Sequence, residues 1–323
     1  MLDLIAKLVS IPSFTGNFEA MDACFSLCRD FLGGSAGIYE EEIVHRGYKS
    51  VIFSNSNSPS LKFDVISPCH MDVVPIDNYK LAVSGDGGKI FGRGVFDMKS
   101  FIVSSLVNLR DMGNKNLGIS YGVVITSDEE TGGENGIGYL VNTLALETSL
   151  VLDCDSGGCL ENIARENLGA TTIKLYGNKN DMAETIMRLR IKFSGYHCEN
   201  YGDEVDINFG RGDICQNLKE CMIGDTEFKI LMLNDYIAYD IDNKFHRLYK
   251  KIMEDSAVKA NYVTTRGTSD SRYFSAKKIT VISHQASGGG SHGESEWLDL
   301  DSLFIFNGVQ KKFLSLAAEL VNS

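Results

Sequence analysis

Short apolar runs rich in β-branched residues alternate with amphipathic stretches along the first half of the chain. A strand repeats every two residues and a helix every 3.6, so the runs predict strands and the stretches predict helices. The segments in question are the helical 17–33 and 98–112, the strand-like 50–55, 62–68, 119–127 and 148–155, and the apolar 137–145. Because uninterrupted apolar strands are typical of parallel sheets covered on both faces, we expect an α/β fold whose mostly parallel central sheet is flanked by helices.

The alternation of strand-like and helical segments changes after Gly169 and later resumes. The strand-like 170–177, the helical 182–193 and the strand-like 204–210 and 227–233 resemble a small strand–helix–strand–strand unit, and the first rhythm resumes with the helical 242–254, the strand-like 278–283 and the helical 299–321. We therefore expect a small, lid-like α+β domain of residues 169–236, inserted into a larger domain of residues 1–168 and 237–323.

Composition narrows the class of protein. The chain has 323 residues, of which 43% are hydrophobic and 23% charged, and this balance is typical of a soluble globular protein too long for one core. The net charge of −12 disfavours nucleic acid or an anionic membrane as a partner. The first residues lack the basic flank and the cleavage site of a signal peptide, and eight scattered cysteines form no C-x-x-C pair. We expect a cytoplasmic protein with reduced thiols.

Metal-ligating residue types follow the predicted strands. His70 and Asp72 come after the strand at 62–68, Asp128 to Glu130 after 119–127, Asp153 and Asp155 at the end of 148–155, and His292 in a glycine-rich loop after 278–283; Asp97 stands before the helix at 98–112. In an open α/β sheet, ligands bind beyond the carboxyl ends of the strands, so we expect these side chains to meet at one edge.

The mix of residues indicates the metal. Two imidazoles with several carboxylates suit Zn²⁺, with Mn²⁺ or Co²⁺ as alternatives, better than Ca²⁺ or Mg²⁺. The number of carboxylates exceeds what one tetrahedral zinc ion uses and favours two ions that share a carboxylate. The neighbours Glu129 and Glu130 then divide the work, because one can ligate while the other holds the attacking water as a general base.

Five segments resemble motifs of the dinuclear-zinc aminoacylase and carboxypeptidase family, whose members include acetylornithine deacetylase, succinyl-diaminopimelate desuccinylase and zinc di- and tripeptidases. They are "SPCHMDVVP" (67–75), "GRGVFDMKS" (92–100), "TSDEETGGENG" (126–136), "GTSDSRYF" (267–274) and "SHGESEWLDLDSL" (291–303). Their order and spacing hold across the catalytic part, with Ser100 in place of the family's usual glycine.

The resemblance implies a role for each matching residue. It implies His70, Asp97, Glu130, Asp153 and His292 as metal ligands, with Asp97 bridging the two ions. It further implies that Asp72 orients His70, that Glu129 is the general base, and that Arg272 clamps a substrate carboxylate.

Some assignments remain open at this point. Asp155 lies on the same strand face as Asp153, and we prefer Asp153 because a ligand usually sits where the strand stops. His284 competes with His292, but it follows its strand directly, so a core or loop position is the better interpretation. Arg272 has a solvated salt bridge as its alternative role.

The small domain departs from the family. The family places a histidine after the first strand of this domain, where it reaches across a dimer, but here that segment has none, and His197 comes only after the helix. The domain looks truncated, with room for one helix fewer before "GTSDSR". We therefore expect a monomer rather than the family's dimer.

The sequence favours a metal-dependent hydrolase, a metallopeptidase or deacylase that cleaves an amide bond beside a free carboxylate in a dipeptide, short peptide or N-acyl amino acid. The alternatives are a non-catalytic metal-binding relative and a two-metal hydrolase of another ester or amide class. The phosphoester version of the latter is disfavoured, because the chain lacks a phosphate-cradling Gly-Lys-Ser/Thr loop.

Overall fold

The computed structural model of the chain describes residues 1–58, 60–75, 84–86, 88–113, 118–193, 196–201, 204–209, 218–234, 236–267 and 269–321. The chain divides into two compact units. The larger unit comprises Met1–Ala164, Tyr239–Val263 and Ser269–Ser323, and the smaller comprises Arg165–Ala238 with Thr264–Thr268.

Helices and strands are numbered here in chain order within the described residues. The helices are α1 (Leu2–Val9), α2 (Phe18–Leu32), α3 (Ser100–Gly113), α4 (Ile137–Asn142), α5 (Lys179–Lys192), α6 (Lys244–Asp255), α7 (Ser271–Ser275) and α8 (Leu300–Val321). The strands are β1 (Tyr39–His45), β2 (Tyr48–Ser54), β3 (Lys62–His70), β4 (Ser84–Asp86), β5 (Lys89–Phe91), β6 (Tyr121–Thr126), β7 (Glu147–Asp153), β8 (Asn162–Asn167), β9 (Ala170–Tyr176), β10 (Tyr196–Tyr201), β11 (Glu204–Phe209), β12 (Glu227–Asn234), β13 (Ile237–Ala238), β14 (Asn261–Thr265), β15 (Thr280–Ser283), β16 (Gly288–Gly289) and β17 (Trp297–Asp299).

The larger unit is built on a six-stranded sheet in the order β1-β2-β6-β3-β7-β15. Strands β6, β3, β7 and β15 run parallel, whereas β1, β2 and β6 pair antiparallel. Every residue of β6 is buried, as expected of a central strand with both faces covered. Helices α1, α2, α3, α6 and α8 contribute side chains to the same core. The predicted α/β class, a mostly parallel sheet flanked by helices, is confirmed.

Helix α2 shows how the pattern becomes structure. The side chain of Asn17 caps the helix by accepting a hydrogen bond from the amide of Ala20 at 3.3 Å. The buried residues follow the helical spacing i, i+3, i+4, i+7 and i+11: Met21, Cys24, Phe25, Cys28 and Leu32. This spacing places them on one face of the helix, and burying a side chain the size of phenylalanine contributes about 1.5–3 kcal/mol.

The β1–β2 hairpin was not predicted from the sequence. Its two turn residues, Arg46 and Gly47, both have positive φ angles, 49° and 88°, as in the tight turns that join paired strands. Strand β1 is an edge strand that exposes Glu40, Glu41 and Glu42. Charged side chains at a sheet edge oppose pairing with another chain, so this strand carries no apolar pattern to predict it.

The smaller unit contains a four-stranded antiparallel sheet in the order β10-β11-β9-β12. Its core includes Ile173 of β9, Leu189 of α5, and Ile207 and Phe209 of β11. The α+β character agrees with the sequence pattern, but strand β10 was not predicted, because its stretch "YHCENY" lacks an apolar repeat.

The helices and the cysteines were also compared with what a membrane span and a disulfide would require. Of the helices in the described residues, none combines the length and the apolar character that crossing a membrane requires. The six cysteines whose side chains are described, Cys24, Cys28, Cys69, Cys154, Cys159 and Cys221, are all free thiols.

Candidate metal centre

The predicted ligands lie at the carboxyl edge of the parallel strands in the larger unit. His70 is the last residue of β3 and pairs with Thr126, the last residue of β6. Asp128 follows β6 by two residues, and Asp153 ends the neighbouring β7. The order β6-β3-β7 therefore brings the three chain segments that carry these side chains to the same edge of the sheet, as the alternation of strands and helices predicted.

Asp97 lies between the two histidines His70 and His292. Its Oδ1 is 3.0 Å from Nε2 of His70, and its Oδ2 is 3.2 Å from Nε2 of His292. The turn that presents it begins at Gly94, whose φ of 80° favours glycine and where a Cβ atom would stand only 2.7 Å from a methyl carbon of Val73. Each carboxylate oxygen of Asp97 thus faces a different histidine.

Two groups of potential ligands share Asp97. One consists of His70, Asp97 and Asp155, and the other of Asp97, Glu130 and His292; within each group the ligand atoms all lie within 4.8 Å of one another. In the second group, Nε2 of His292 is 3.0 Å from Oε2 of Glu130. A carboxylate common to two ligand groups is the arrangement that a pair of bridged divalent ions requires.

The structure does not support Asp153 as a member of this centre. Its Oδ2 accepts hydrogen bonds from the hydroxyls of Ser269 and Ser283, at 2.9 and 2.6 Å. Ser283 is its partner on the parallel strand β15, so the contact follows from the sheet register. Asp155, which lies beyond the end of β7, stands instead beside His70 and Asp97. The geometry therefore favours Asp155 over Asp153, and the choice between the two as ligand stays a prediction.

Asp72 contacts other parts of the site besides the ring of His70. Nδ1 of His70 lies 2.9 Å from the main-chain oxygen of Asp72 and 3.6 Å from its carboxylate, so the main-chain carbonyl makes the closer contact with the ring. The carboxylate accepts hydrogen bonds from the amides of Glu129 and Glu130 at 3.2 and 3.1 Å, and from the hydroxyl of Thr15 at 2.8 Å. Asp72 thus joins the His70 strand end to the loop that carries both glutamates.

Glu129 lies beside the ligand groups but belongs to neither. Its Oε2 is 4.0 Å from Nε2 of His70. Glu129 and Glu130 open the short 3-10 turn Glu129–Thr131, and their side chains leave it in different directions, Glu130 toward His292. The sequence predicts that one of these neighbours ligates a metal and the other does not. Here Glu130 lies in a ligand group and Glu129 lies outside both groups.

The electrostatics of the centre favour the binding of positive charge. Burial, together with the charges of Asp97 and Glu129, raises the pKa of Asp155 well above its usual value. Burial and the charge of Asp97 likewise raise the pKa of Glu130. Burial would lower the pKa of His70, but hydrogen bonds to Asp72 and Asp97 raise it well above its usual range.

Crowded, desolvated carboxylates repel one another, and a divalent cation relieves that repulsion. Two imidazoles and three carboxylates are also a donor set that zinc accepts. The residues present therefore fit two divalent ions.

Arg272 contacts the site loops. Its Nη1 donates to the main-chain oxygen of Ser269 at 3.1 Å, and its Nη2 donates to the main-chain oxygen of Gly132. Gly132 follows the Glu129–Thr131 turn, so the guanidinium braces the glutamate loop against the loop before α7. The predicted carboxylate clamp stays a prediction.

Two other histidines that the sequence analysis named, His284 and His197, are not part of either ligand group. His284 is buried, with Nδ1 2.8 Å from the hydroxyl of Tyr249 and Nε2 2.6 Å from the main-chain oxygen of Leu160, so it is a core residue rather than a ligand. His197 lies in β10 of the smaller unit, and its side chain falls outside the described residues.

The fold and the potential ligand groups around Asp97 are typical of a metallopeptidase. Residues 68–314 match the model of peptidase family M20/M25/M40. This match covers most of the chain, and the chain belongs to that family. The resemblance drawn from the five motifs is confirmed, as is the expectation that the chain belongs to an enzyme family of metallopeptidases and deacylases.

Among curated proteins, the chain is similar to succinyl-diaminopimelate desuccinylase from Buchnera aphidicola subsp. Cinara cedri (strain Cc), with 32% identity over 133 residues. The match spans 35% of this chain and 35% of that protein, so it covers about a third of the length of this relative.

Solved structures share the fold over nearly the whole chain. The M20 family metallo-carboxypeptidase Sso-CP2 from Sulfolobus solfataricus superposes with a TM-score of 0.75 at 15% identity, covering 98% of this chain and 99% of that one. The YXEP protein from Bacillus subtilis, described as a dinuclear metal binding peptidase from the M20 family, gives a TM-score of 0.67 at 11% identity and covers 98% and 97%. At these identities the comparison establishes the fold.

Proposed function

We propose that the protein is a metal-dependent hydrolase that cleaves an amide bond next to a free carboxylate, in a dipeptide, a short peptide or an N-acyl amino acid. The observation that carries this proposal is the pair of ligand groups that share Asp97, with Glu129 beside them. Family membership supports the class of reaction. The names of two similar proteins, a desuccinylase and a carboxypeptidase, support a substrate that carries an acyl group or a terminal carboxylate.

Two divalent ions would be held by His70, Asp97 and Asp155 on one side, and by Asp97, Glu130 and His292 on the other. Zn²⁺ is the best match to this mixture of imidazole and carboxylate, and Mn²⁺ or Co²⁺ also fit. When bound, such ions supply Lewis acidity, which polarises a carbonyl group and makes water more acidic.

Glu129 is the residue we assign as general base. Its carboxylate stands beside His70 and is outside both ligand groups, so it is available to take a proton from an attacking water and to return it to the leaving amine. The amide of Glu129 is fixed by the carboxylate of Asp72, which limits the positions that the side chain can reach.

The experiment is a screen of dipeptides and N-acyl amino acids with the metal-free protein and with added Zn²⁺, Mn²⁺ or Co²⁺. Activity should require metal, and Glu129→Gln should bind metal normally while turnover falls by about 10²–10⁴-fold. The matched control is Glu134→Gln in the same loop, which is in neither ligand group and should keep wild-type turnover. Near-normal turnover in Glu129→Gln would refute its assignment, and metal-independent activity would refute the metal mechanism.

A wild-type protein that binds metal but hydrolyses no member of the panel would favour the non-catalytic alternative. Turnover of phosphoesters or other esters alone would favour the other two-metal hydrolases.

We further propose that the protein acts in the cytoplasm and as a monomer, with a small peptide or N-acyl amino acid as its partner rather than nucleic acid or a membrane. The free thiols support a reducing compartment. The net charge of −12 disfavours polyanionic partners.

A further inference from the structure

A buried glutamate holds the loop that carries Asp97. Glu296 is 2% exposed, and its two carboxylate oxygens each accept two hydrogen bonds. Oε1 accepts from the amides of Phe96 and Asp97 at 2.8 and 3.0 Å. Oε2 accepts from the amide of Gly94 at 2.9 Å and from Nη1 of Arg93 at 2.8 Å. Four donors from a five-residue segment thus converge on one side chain.

The same contacts reach the loop that carries His292. Glu296 follows His292 by four residues. Arg93, which pairs with Glu296, donates a second hydrogen bond from Nη2 to the main-chain oxygen of Gly293 at 2.9 Å. Arg93 and Glu296 therefore link the segment that leads to Asp97 with the segment that follows His292.

Stability alone is a weak explanation for this arrangement. The side chains of Arg93 and Glu296 are 3% and 1% exposed, and removing two charges from water costs roughly as much as their attraction returns. The contacts of Glu296 are instead concentrated on the backbone next to a shared metal ligand. Groups that orient ligands from outside the coordination sphere typically change metal affinity by about 10–100-fold when they are altered.

We propose that Glu296 is a positioning residue, which sets the spacing of the two ligand groups by fixing the Asp97 segment to the His292 segment through Arg93. The inference rests on the proposed two-metal centre. Glu296 would touch neither metal nor substrate, and its effect would be carried by the backbone amides of Gly94, Phe96 and Asp97.

Glu296→Gln tests the proposal with almost no change in shape. Because each carboxylate oxygen faces two donors, the new amide nitrogen must meet two N–H groups in either orientation of the side chain. The segment has to shift to relieve this contact, so we expect the affinity for Zn²⁺ to fall about 10–100-fold. The measurement is a titration of metal-free protein with Zn²⁺ against a chromophoric chelator, with circular dichroism to show that the variant is folded.

Asp64→Asn is the matched control. Asp64 also accepts a hydrogen bond from a backbone amide, that of Ser120 at 2.7 Å, but it lies six residues before His70 on β3, roughly 20 Å away. Its zinc affinity should equal that of the wild type. If Glu296→Gln does not fold, Arg93→Lys serves instead, because lysine keeps the charge but cannot contact Glu296 and Gly293 through two nitrogens; it should also lose affinity.

The outcomes separate this inference from the proposed function. Two ions bound to the wild type, with weakened binding in Glu296→Gln or Arg93→Lys and not in Asp64→Asn, support it. Wild-type affinity in the Glu296 variant, or equal losses in the control, would overturn it and leave the metal centre intact. A wild type that binds no divalent ion would overturn both.

Discussion

Replacing Asp155 and Asp153 one at a time distinguishes the ligand that the structure indicates from the one that the strand end suggested. Asp155→Asn removes a charged ligand atom from the group that also contains His70 and Asp97. Asp153→Asn changes a side chain that faces Ser269 and Ser283, and an asparagine oxygen can still accept both serine hydrogen bonds. The two variants make equal changes in size and charge at positions only two residues apart.

The expected magnitudes differ widely. Changing a group outside the coordination sphere costs about 10–100-fold in metal affinity, so losing a ligand should cost at least about 100-fold. At a zinc concentration of about 100 times the wild-type Kd, bound metal stabilises the wild type by about 2.7 kcal/mol. The same concentration would stabilise Asp155→Asn by only about 0.4 kcal/mol, and Asp153→Asn by nearly the wild-type amount.

Without metal, Asp155→Asn should be more stable than the wild type. Its carboxylate is buried beside the charges of Asp97 and Glu129, which raise its pKa, so neutralising it relieves repulsion. Metal-free Asp155→Asn should therefore unfold at a higher temperature than the metal-free wild type, while its gain on adding zinc is much smaller.

The assay is thermal unfolding with and without Zn²⁺, together with a zinc titration of each variant. If Asp153→Asn loses zinc affinity and Asp155→Asn keeps it, the ligand assignment made from the structure is refuted.

Burial lowers the pKa of His284 to about 4, below its ordinary 6.5. Between these two pH values the unfolded state binds more protons than the folded state. The free energy of unfolding should therefore fall by about 3 kcal/mol as the pH drops through this range. Urea unfolding from pH 7.5 to 4.5 should show a shallower loss for His284→Asn, and parallel curves would contradict this. If Arg272 clamps a carboxylate, Arg272→Lys should lower kcat/KM more for free than for amidated substrates; equal losses would leave only its bracing role. Sedimentation at micromolar concentration should show a monomer, although Leu231 and Leu233 are exposed on the edge strand β12, and a dimer that Leu231→Glu dissociates would refute this.

The helices and strands that could be predicted from the sequence are those whose buried residues form a regular pattern of apolar positions. Strand β6 is buried throughout and reads as an apolar run, and α2 carries its buried residues on one face. Strand β1 is held in place by pairing with β2, and its exposed glutamates leave no such pattern. Pairing at an edge is decided by the neighbouring strand, which a local pattern does not contain.

The centre could be predicted as far as residue type and strand position decide it. His70, Asp97, Glu130 and His292 come together as the sequence indicated. Which aspartate turns toward them depends on Ser283 of the neighbouring strand, which holds the other one, and on the path of the chain after β7.

The roles of the supporting carboxylates also depend on the fold. In the sequence, Glu296 lies in the segment "SHGESEWLDLDSL" (291–303), which resembles a family motif. Its contacts with the amides around Asp97 are long-range and exist only in the folded chain.

Diffraction from crystals grown with Zn²⁺, measured on both sides of the zinc absorption edge, would show directly whether two ions share Asp97. We expect two anomalous peaks about 3.5–4 Å apart, one on each side of the Asp97 carboxylate. One should contact His70 and Asp155, and the other Glu130 and His292. A single peak, no peak, or a peak that contacts Asp153 would contradict it.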